Sequence, residues 1–450
     1  MYDIIIIGSG PAGYISAIRA SQVGLKTVLI EKENIGGMCL NWGCIPSKSM
    51  IESAKFFSKI KKSAKEFGID GIDTEKIQFN WNQGIERSMN IVKKLSDGIL
   101  YLLKKNGTEI IKGEAVITSQ NSVTVNNRNI EAKNIVIATG SVQKLIELKN
   151  PQNIILEVKN LFTKKELPQN LVVYGQNSVA VEIAQMLNLI GKKVTLVVPE
   201  NRILSKADEY LANYFVNKLQ KDKIDLLINS KIDSNSKYEK GKLYINDKVI
   251  DCDLIINAEN RNAVIPKSNI EIELENGFVK VDENCKTNFN NIFAIGDVNG
   301  LSYYAHIGSA QGLHVINHIQ GIKSELNIKK YPINMYSVPE VAQIGLTEQE
   351  VIAKGKDYKI SEFPLSANGK AMTEGETEGF VRIISEAHYG EVYGIQIIAP
   401  HATDMIAEAS AFMEVEATVY DVAKTVHAHP TISEVFMEAG FEAVYKAIHK

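Results

Sequence analysis

Two strand, glycine-turn, helix units, opening at Tyr2 and Leu171, and a final stretch after Tyr331 with no such turn predict an α/β chain. The expected architecture is two Rossmann-like, doubly wound units followed by a C-terminal α+β domain. At 450 residues and 45% hydrophobic content, the chain has material for roughly two to four cores.

In the first unit, Tyr2 to Ile7 is a short apolar strand running into Gly8-Ser9-Gly10-Pro11-Ala12-Gly13, and helix-forming sequence continues to Val23. Glycines at these positions let the backbone approach a pyrophosphate, whose charge then sits against free N–H groups at the helix start. A second strand, Thr27 to Ile30, ends in Glu31, about 20 residues beyond the glycines, where a dinucleotide fold holds a ribose with a carboxylate. Glycines alone would also suit an ordinary tight turn. The flanking strand, helix and acidic residue favour a dinucleotide.

Between Ile51 and Gly107 the sequence turns helical. Ile85, Met89, Val92, Leu95, Ile99 and Leu102 recur at three- or four-residue spacing, and Gly107 can close the last turn. This predicts a packing face rather than chemistry. Two apolar strands, Ile135 to Ala138 running into Thr139-Gly140 and Ile292 to Ile295 running into Gly296-Asp297, have the form of strand ends facing a ligand. The second unit passes from Leu171 through Gly175-Gln176-Asn177-Ser178-Val179-Ala180 to a helix, then through Gly191 to a strand from Val194 to Val198. A duplicated nucleotide-binding unit is the natural inference.

The formal charge is −3 and no basic block stands alone, which argues against nucleic acid and a polybasic membrane contact. No apolar run approaches the roughly 20 residues that cross a bilayer, and no basic leader precedes Ile4 to Ile7. A cytoplasmic location is the expectation.

Four cysteines in a chain of this length cannot form a secreted disulfide framework. Two of them, Cys39 and Cys44, lie in Gly36-Gly37-Met38-Cys39-Leu40-Asn41-Trp42-Gly43-Cys44-Ile45-Pro46-Ser47-Lys48. Gly43 lets the backbone bend to bring the sulfurs together, and thiols near a helix start have a lowered pKa, so a reversible disulfide is expected. Two buried structural cysteines are the competing reading. Zinc lacks a second ligand pair at suitable spacing, so no metal is expected. Cys252 and Cys285 have no cysteine neighbour in sequence and read as unreactive.

Thiol–disulfide exchange also needs a base. The segment His427-Ala428-His429-Pro430-Thr431-Ile432-Ser433-Glu434 offers one in His429, held extended by the following proline, with Glu434 able to orient its ring. Thr431 and Glu434 equally form a capping-box pattern, in which the glutamate only caps its helix. His427 reads as a packing or supporting histidine.

Taken together, the cysteine segment, Ala138-Thr139-Gly140, the strand into Gly296-Asp297, the run Ala305-His306 to Gln311-Gly312, Pro339-Glu340-Val341-Ala342 with Gly345-Leu346-Thr347-Glu348, and the His429-Pro430-Thr431 segment resemble the pyridine nucleotide-disulfide oxidoreductases. The resemblance spans nearly the whole chain. It implies FAD in the first unit, with Gly8, Gly10, Gly13, Glu31, Thr139, Gly140, Asp297 and Ala305 around it. It implies that Cys39 exchanges with substrate sulfur, that Cys44 lies against the flavin, and that Lys48 sits near the flavin paired with Glu182. A surface ion pair is the plainer reading of Lys48 and Glu182. In that family His429 and Glu434 act as a pair from the partner subunit, which implies a homodimer. The Ile-Pro-Ser-Lys and His-Ala-His-Pro segments are most similar to the dihydrolipoamide dehydrogenase branch, in which dihydrolipoyl groups on a carrier protein are oxidised and NAD accepts the electrons. The implied divisions are residues 1–150 for FAD and the cysteines, 151–265 for NAD, 266–330 for the second part of the central domain, and 331–450 for dimerisation.

The second unit departs from this pattern. It keeps Gly175, but Asn177 and Ala180 stand at the second and third glycine positions, Val198 stands where an acidic residue is expected, and Glu259 follows Ala258 where a Gly-Arg pair is usual. Each lost charged hydrogen bond costs about 1.5–3 kcal/mol, so weak or absent nicotinamide binding is expected. Arg202 offers a contact for the extra phosphate of NADP. Two other readings stay open: the same dithiol and flavin chemistry with a ferredoxin, flavodoxin or quinone as electron partner, and a non-catalytic flavoprotein subunit.

Overall fold

Ile4 to Ile7 do not alternate with polar residues, so the strand they form has to be covered on both faces. In the computed structural model, which describes residues 1–151 and 153–450, Tyr2–Ile7 is the central strand of a parallel sheet. The parallel order is Glu109–Lys112, Thr27–Glu31, Tyr2–Ile7, Arg128–Ile137 and Ile292–Ala294. The last of these returns from far along the chain, so residues near 292 complete the sheet begun at Tyr2. Helices Pro11–Gln22 and Ala305–Ile319 pack together against it. Strands Ser122–Val125 and Val116–Ser119 extend its edge as an antiparallel pair.

The second unit repeats the arrangement. Asp225–Leu227, Lys193–Val197, Asn170–Tyr174, Leu254–Asn257 and Ile155–Glu157 lie side by side, all parallel. The third body is a five-stranded antiparallel sheet ordered Ile333–Met335, Glu340–Gly345, Val392–Ala399, Phe380–Glu386 and Tyr358–Pro364. Helices Ala402–Glu414 and Glu434–Val444 pack on this sheet. One apolar core runs through Met50 and Ala54 of the helix after the cysteines, Leu171 and Ile183 of the second unit, and Val341 and Phe380 of the third. The three bodies therefore share packing where the cysteines lie.

The helical stretch differs from expectation in two ways. It forms two helices, Cys44–Ser63 and Trp81–Lys105, because Gly68 and Gly71 take positive φ and break the run, after which Asn80 caps the second helix through Gln83 N–H. The buried residues of that second helix are Trp81, Ser88, Val92 and Leu103, while Met89, Leu95 and Leu102 stay exposed on the single chain. The apolar stripe is wider than the face the chain itself covers. Among the described residues, no helix is long and apolar enough to cross a membrane.

Candidate active site

A cleft of about 1270 Å³ opens at the carboxyl ends of both parallel sheets. Its first-unit wall is built by sequence-local chemistry. Pro11 begins the helix, and Gly10 at its N-cap offers no side chain, so the N–H groups of the first turn stay free for an anion. A Cβ at Gly13 would land on the Gly8 carbonyl oxygen, which is why only glycine lets turn and helix close so tightly. Glu31 reaches the rim of this cradle. Its carboxylate accepts from Ser9 N–H at 2.8 Å, Ser9 Oγ at 2.6 Å and Glu33 N–H at 2.7 Å. The cleft then passes Thr139, Gly140 and Asp297 to the start of the helix at Ala305, whose N-cap Tyr304 makes no side-chain capping bond. An open helix terminus, a cradle that a side chain would fill and a rim carboxylate fit FAD.

Cys39 belongs to the short helix Gly37–Asn41, and Cys44 opens the long helix Cys44–Ser63, with Gly43 turning the chain between them. Both thiols are free, and each acts on the other's ionisation. The neighbouring Cys44 thiol, with burial, holds the Cys39 thiol above its ordinary pKa. Cys39 in turn lowers Cys44, and the Lys48 charge adds to this against the opposing effect of burial. The helix N-terminus under Cys44 acts in the same direction. Lys48 Nζ lies 2.7 Å from Glu182, which is buried, and 4.7 Å from the centre of the Tyr336 ring. Burial would neutralise this lysine, but Glu182 and Cys44 outweigh it and raise its pKa. Glu182 also accepts from Tyr336 N–H at 2.9 Å, so one carboxylate ties the helix after the cysteines to the second and third bodies. The ion pair is thus internal rather than a surface pair.

Asp297 is pushed up by burial, opposed by a hydrogen bond from Ser141 and by Arg261. Arg261 donates to Ser141 Oγ at 2.7 Å and to its carbonyl at 2.6 Å, and lies 3.8 Å from Asp297. Ser141, Arg261, Tyr304 and Tyr336 line the cleft and were not singled out from the sequence. Arg261 comes near Ser141 through pairing of Arg261–Ala263 with Ser141–Gln143, a contact between residues far apart in the chain that no local pattern announces.

His429 Nδ1 lies 2.9 Å from one oxygen of Glu434, and the other oxygen accepts from Thr431 N–H at 2.8 Å. The glutamate thus orients the ring and holds the turn, but the capping box does not form: the helix N-cap is Ser433, and the Thr431 hydroxyl donates to the Ala428 carbonyl. Neither His429 nor Glu434 lines the cleft of its own chain, and the His429 side chain is 81% exposed. His427 is held by Glu408 at 2.6 Å and by the Thr425 carbonyl, in a supporting position. Cys252 and Cys285 are buried, each thiol pushed up to about 12 by burial.

In the second unit, Asn177 caps the helix Ser178–Leu189: its Oδ1 accepts from Ala180 N–H at 3.1 Å, and its Nδ2 donates to the Ala258 carbonyl at 2.9 Å. The side chain therefore folds back along the turn. Arg202 donates to the carbonyls of Ser205 and Ala207 and so braces its own loop.

The model of the pyridine nucleotide-disulphide oxidoreductases matches residues 2–315, and that of their dimerisation domain matches residues 331–440. The chain belongs to the pyridine nucleotide-disulphide oxidoreductase family. As a member it is an FAD-dependent oxidoreductase, in agreement with the cradle and the cysteine pair. It is 34% identical to a dihydrolipoyl dehydrogenase of Bacillus subtilis, covering 100% of this chain and 99% of that protein. It is 33% identical to the mitochondrial dihydrolipoyl dehydrogenase of Bos taurus, covering 98% and 91%. Among solved structures, LpdA of Mycobacterium tuberculosis shares the fold with a TM-score of 0.89 at 22% identity, covering 98% of this chain and 99% of that one. The HOCl-induced flavoprotein disulfide reductase RclA of Escherichia coli does so at 0.85 and 22%, covering 97% and 98%.

Proposed function

We propose that this family member is a cytoplasmic dihydrolipoyl dehydrogenase, a homodimer that oxidises dihydrolipoyl groups presented by a carrier protein through Cys39, Cys44 and FAD, with NAD as the acceptor its family uses. Full-length similarity to dihydrolipoyl dehydrogenases supports the substrate, and the match to a dimerisation domain supports the homodimer. We assign FAD and the cysteines to residues 1–150 and 266–330, the nicotinamide dinucleotide to 151–265, and pairing of subunits to 331–450.

In the oxidised enzyme, one sulfur of the dithiol attacks Cys39 Sγ as His429 takes its proton. The Cys39–Cys44 bond breaks, and Cys44 leaves as a thiolate balanced by Lys48. The second substrate sulfur then displaces Cys39, closing the substrate disulfide. One of the two dithiol protons returns to Cys39 and the other is released, so the enzyme ends as a Cys39 thiol beside a Cys44 thiolate. Bound FAD supplies a two-electron acceptor next to that thiolate. The observation that carries this reading is the geometry of the pair: two free thiols on either side of the Gly43 turn, both lining the cleft, with Lys48 held by Glu182 one turn along the helix that Cys44 opens.

The test is anaerobic titration of the yellow protein with dihydrolipoamide. One equivalent is expected to produce the long-wavelength absorbance of a thiolate beside flavin, and Cys44→Ser to abolish it. A spectrum that dihydrolipoamide leaves unchanged would sink the proposal.

A further inference from the structure

The chain contains its own control for what a dinucleotide site needs. Gly8 N–H donates to Ile30 O and Gly175 N–H to Val197 O, while Ala138 N–H donates to Ile7 O and Ala258 N–H to Tyr174 O. These bonds put the two units in one register. Gly10 therefore corresponds to Asn177, Gly13 to Ala180, Glu31 to Val198 and Thr139 to Glu259.

At each of these places but one the second unit loses something an anion or ribose requires. A Cβ built at Gly10 meets nothing within 4 Å, so the space over the first turn is open to a ligand. At the matching place the Asn177 carboxamide caps the Ala180 N–H and fastens the turn to the Ala258 carbonyl. It takes a donor that pyrophosphate would use and links the two loops that would have to flank it. Val198 is fully buried and apolar where Glu31 presents a carboxylate. Glu259 lines the cleft and brings a negative charge towards a bound diphosphate. Arg202, the cation the sequence offered for an extra phosphate, is spent on the Ser205 and Ala207 carbonyls. Ala180 is the exception, since alanine is tolerated at the third position.

We propose that Asn177 acts as a built-in plug of the second dinucleotide site and, with Val198 and Glu259, sets a weak affinity for the nicotinamide dinucleotide. This inference rests on the proposed function only for the identity of that ligand. A dinucleotide binds after the Asn177 side chain has swung off Ala180 and Ala258, and Val198 offers its ribose no carboxylate.

The test uses the FAD-loaded protein and measures equilibrium binding of NAD by calorimetry and of NADH by fluorescence, with anaerobic dihydrolipoamide reduction run beside them. Wild type is expected to bind with a Kd on the order of 1 mM, Asn177→Gly about 10-fold more tightly, and Asn177→Gly with Glu259→Arg about 100-fold more tightly. Glycine replaces an N-cap asparagine with little loss of stability, and Glu259→Arg alone, expected to gain about 10-fold, provides a second variant whose fold does not depend on the cap. A micromolar Kd in wild type, or no gain in either single variant, overturns the plug. Expected binding constants together with a flavin that dihydrolipoamide fails to reduce would instead overturn the proposed function and leave the plug standing.

Discussion

At the residue scale, the chemistry turns on which sulfur holds the proton. Cys44 is lowered first by Cys39 and then by Lys48, so its thiolate persists at pH values where an ordinary thiol is protonated. Removing the lysine charge takes away one of these supports. In Lys48→Met the midpoint for iodoacetamide alkylation of the reduced enzyme is expected to move to higher pH; an unmoved midpoint would assign the lowering to Cys39 and the helix terminus alone. On the other flank, Glu434 is lowered because the Thr431 N–H and His429 outweigh its burial. The carboxylate therefore stays charged below its ordinary range, and its hold on His429 weakens only as pH falls through that lower value. His429→Gln is expected to reduce kcat with dihydrolipoamide by about 100- to 10,000-fold. Glu434→Gln should reduce it less, since Thr431 and Pro430 still fix the backbone. Stopped-flow measurement of the dithiol half-reaction separates these losses from any change at the nucleotide end.

At the element scale, what could be read in the sequence was whatever is local. The strand, glycine turn and helix from Tyr2 to Gln22 were legible because a continuous apolar run, three glycines and a proline at the helix start all constrain adjacent residues. The duplicated unit was legible for the same reason, and so was the departure at Asn177. The contact that carries this departure was not, because sequence gives the residue but not the direction in which the carboxamide folds. Arg261 and Tyr336 were missed for another reason: each reaches the cleft by contacts between distant parts of the chain. The stripe on Trp81–Lys105 was read as wholly packed, although periodicity marks apolar residues without saying how many of them one chain covers. The first cradle carries a prediction of its own. Gly13 touches the Gly8 carbonyl so closely that any side chain must push the helix off the turn. Gly13→Val is expected to yield colourless protein, read as the ratio of flavin to protein absorbance, with far-ultraviolet circular dichroism largely kept because the other bodies have their own cores. A yellow Gly13→Val protein would show that the cradle does not hold the cofactor.

At the scale of the whole molecule, the cysteine pair and His429, the proposed base, are separated in one chain. Cys39 and Cys44 line the cleft, whereas His429 and Glu434 stand outside it, with the histidine side chain 81% exposed on the body that matches the dimerisation domain. On the proposed function, the exposed His429 serves the cysteine pair of the other subunit, in a two-fold dimer whose sites are completed across the axis. The arrangement makes a prediction that no single-chain site would share. Cys44→Ser and His429→Gln are each expected to be nearly inactive as homodimers. Co-expressed with different tags, they form mixed dimers in which one site combines both lesions and the other combines an intact Cys44 with an intact His429. Random pairing makes about half of the dimers mixed, each with one working site, so activity should return to about a quarter of wild type. Isolating the mixed dimer through both tags should raise this to about half. If His429 acted on the cysteines of its own chain, every site in the mixed dimer would carry one lesion and activity would not return. The outcome decides between a site completed across the two-fold axis and one completed within a subunit.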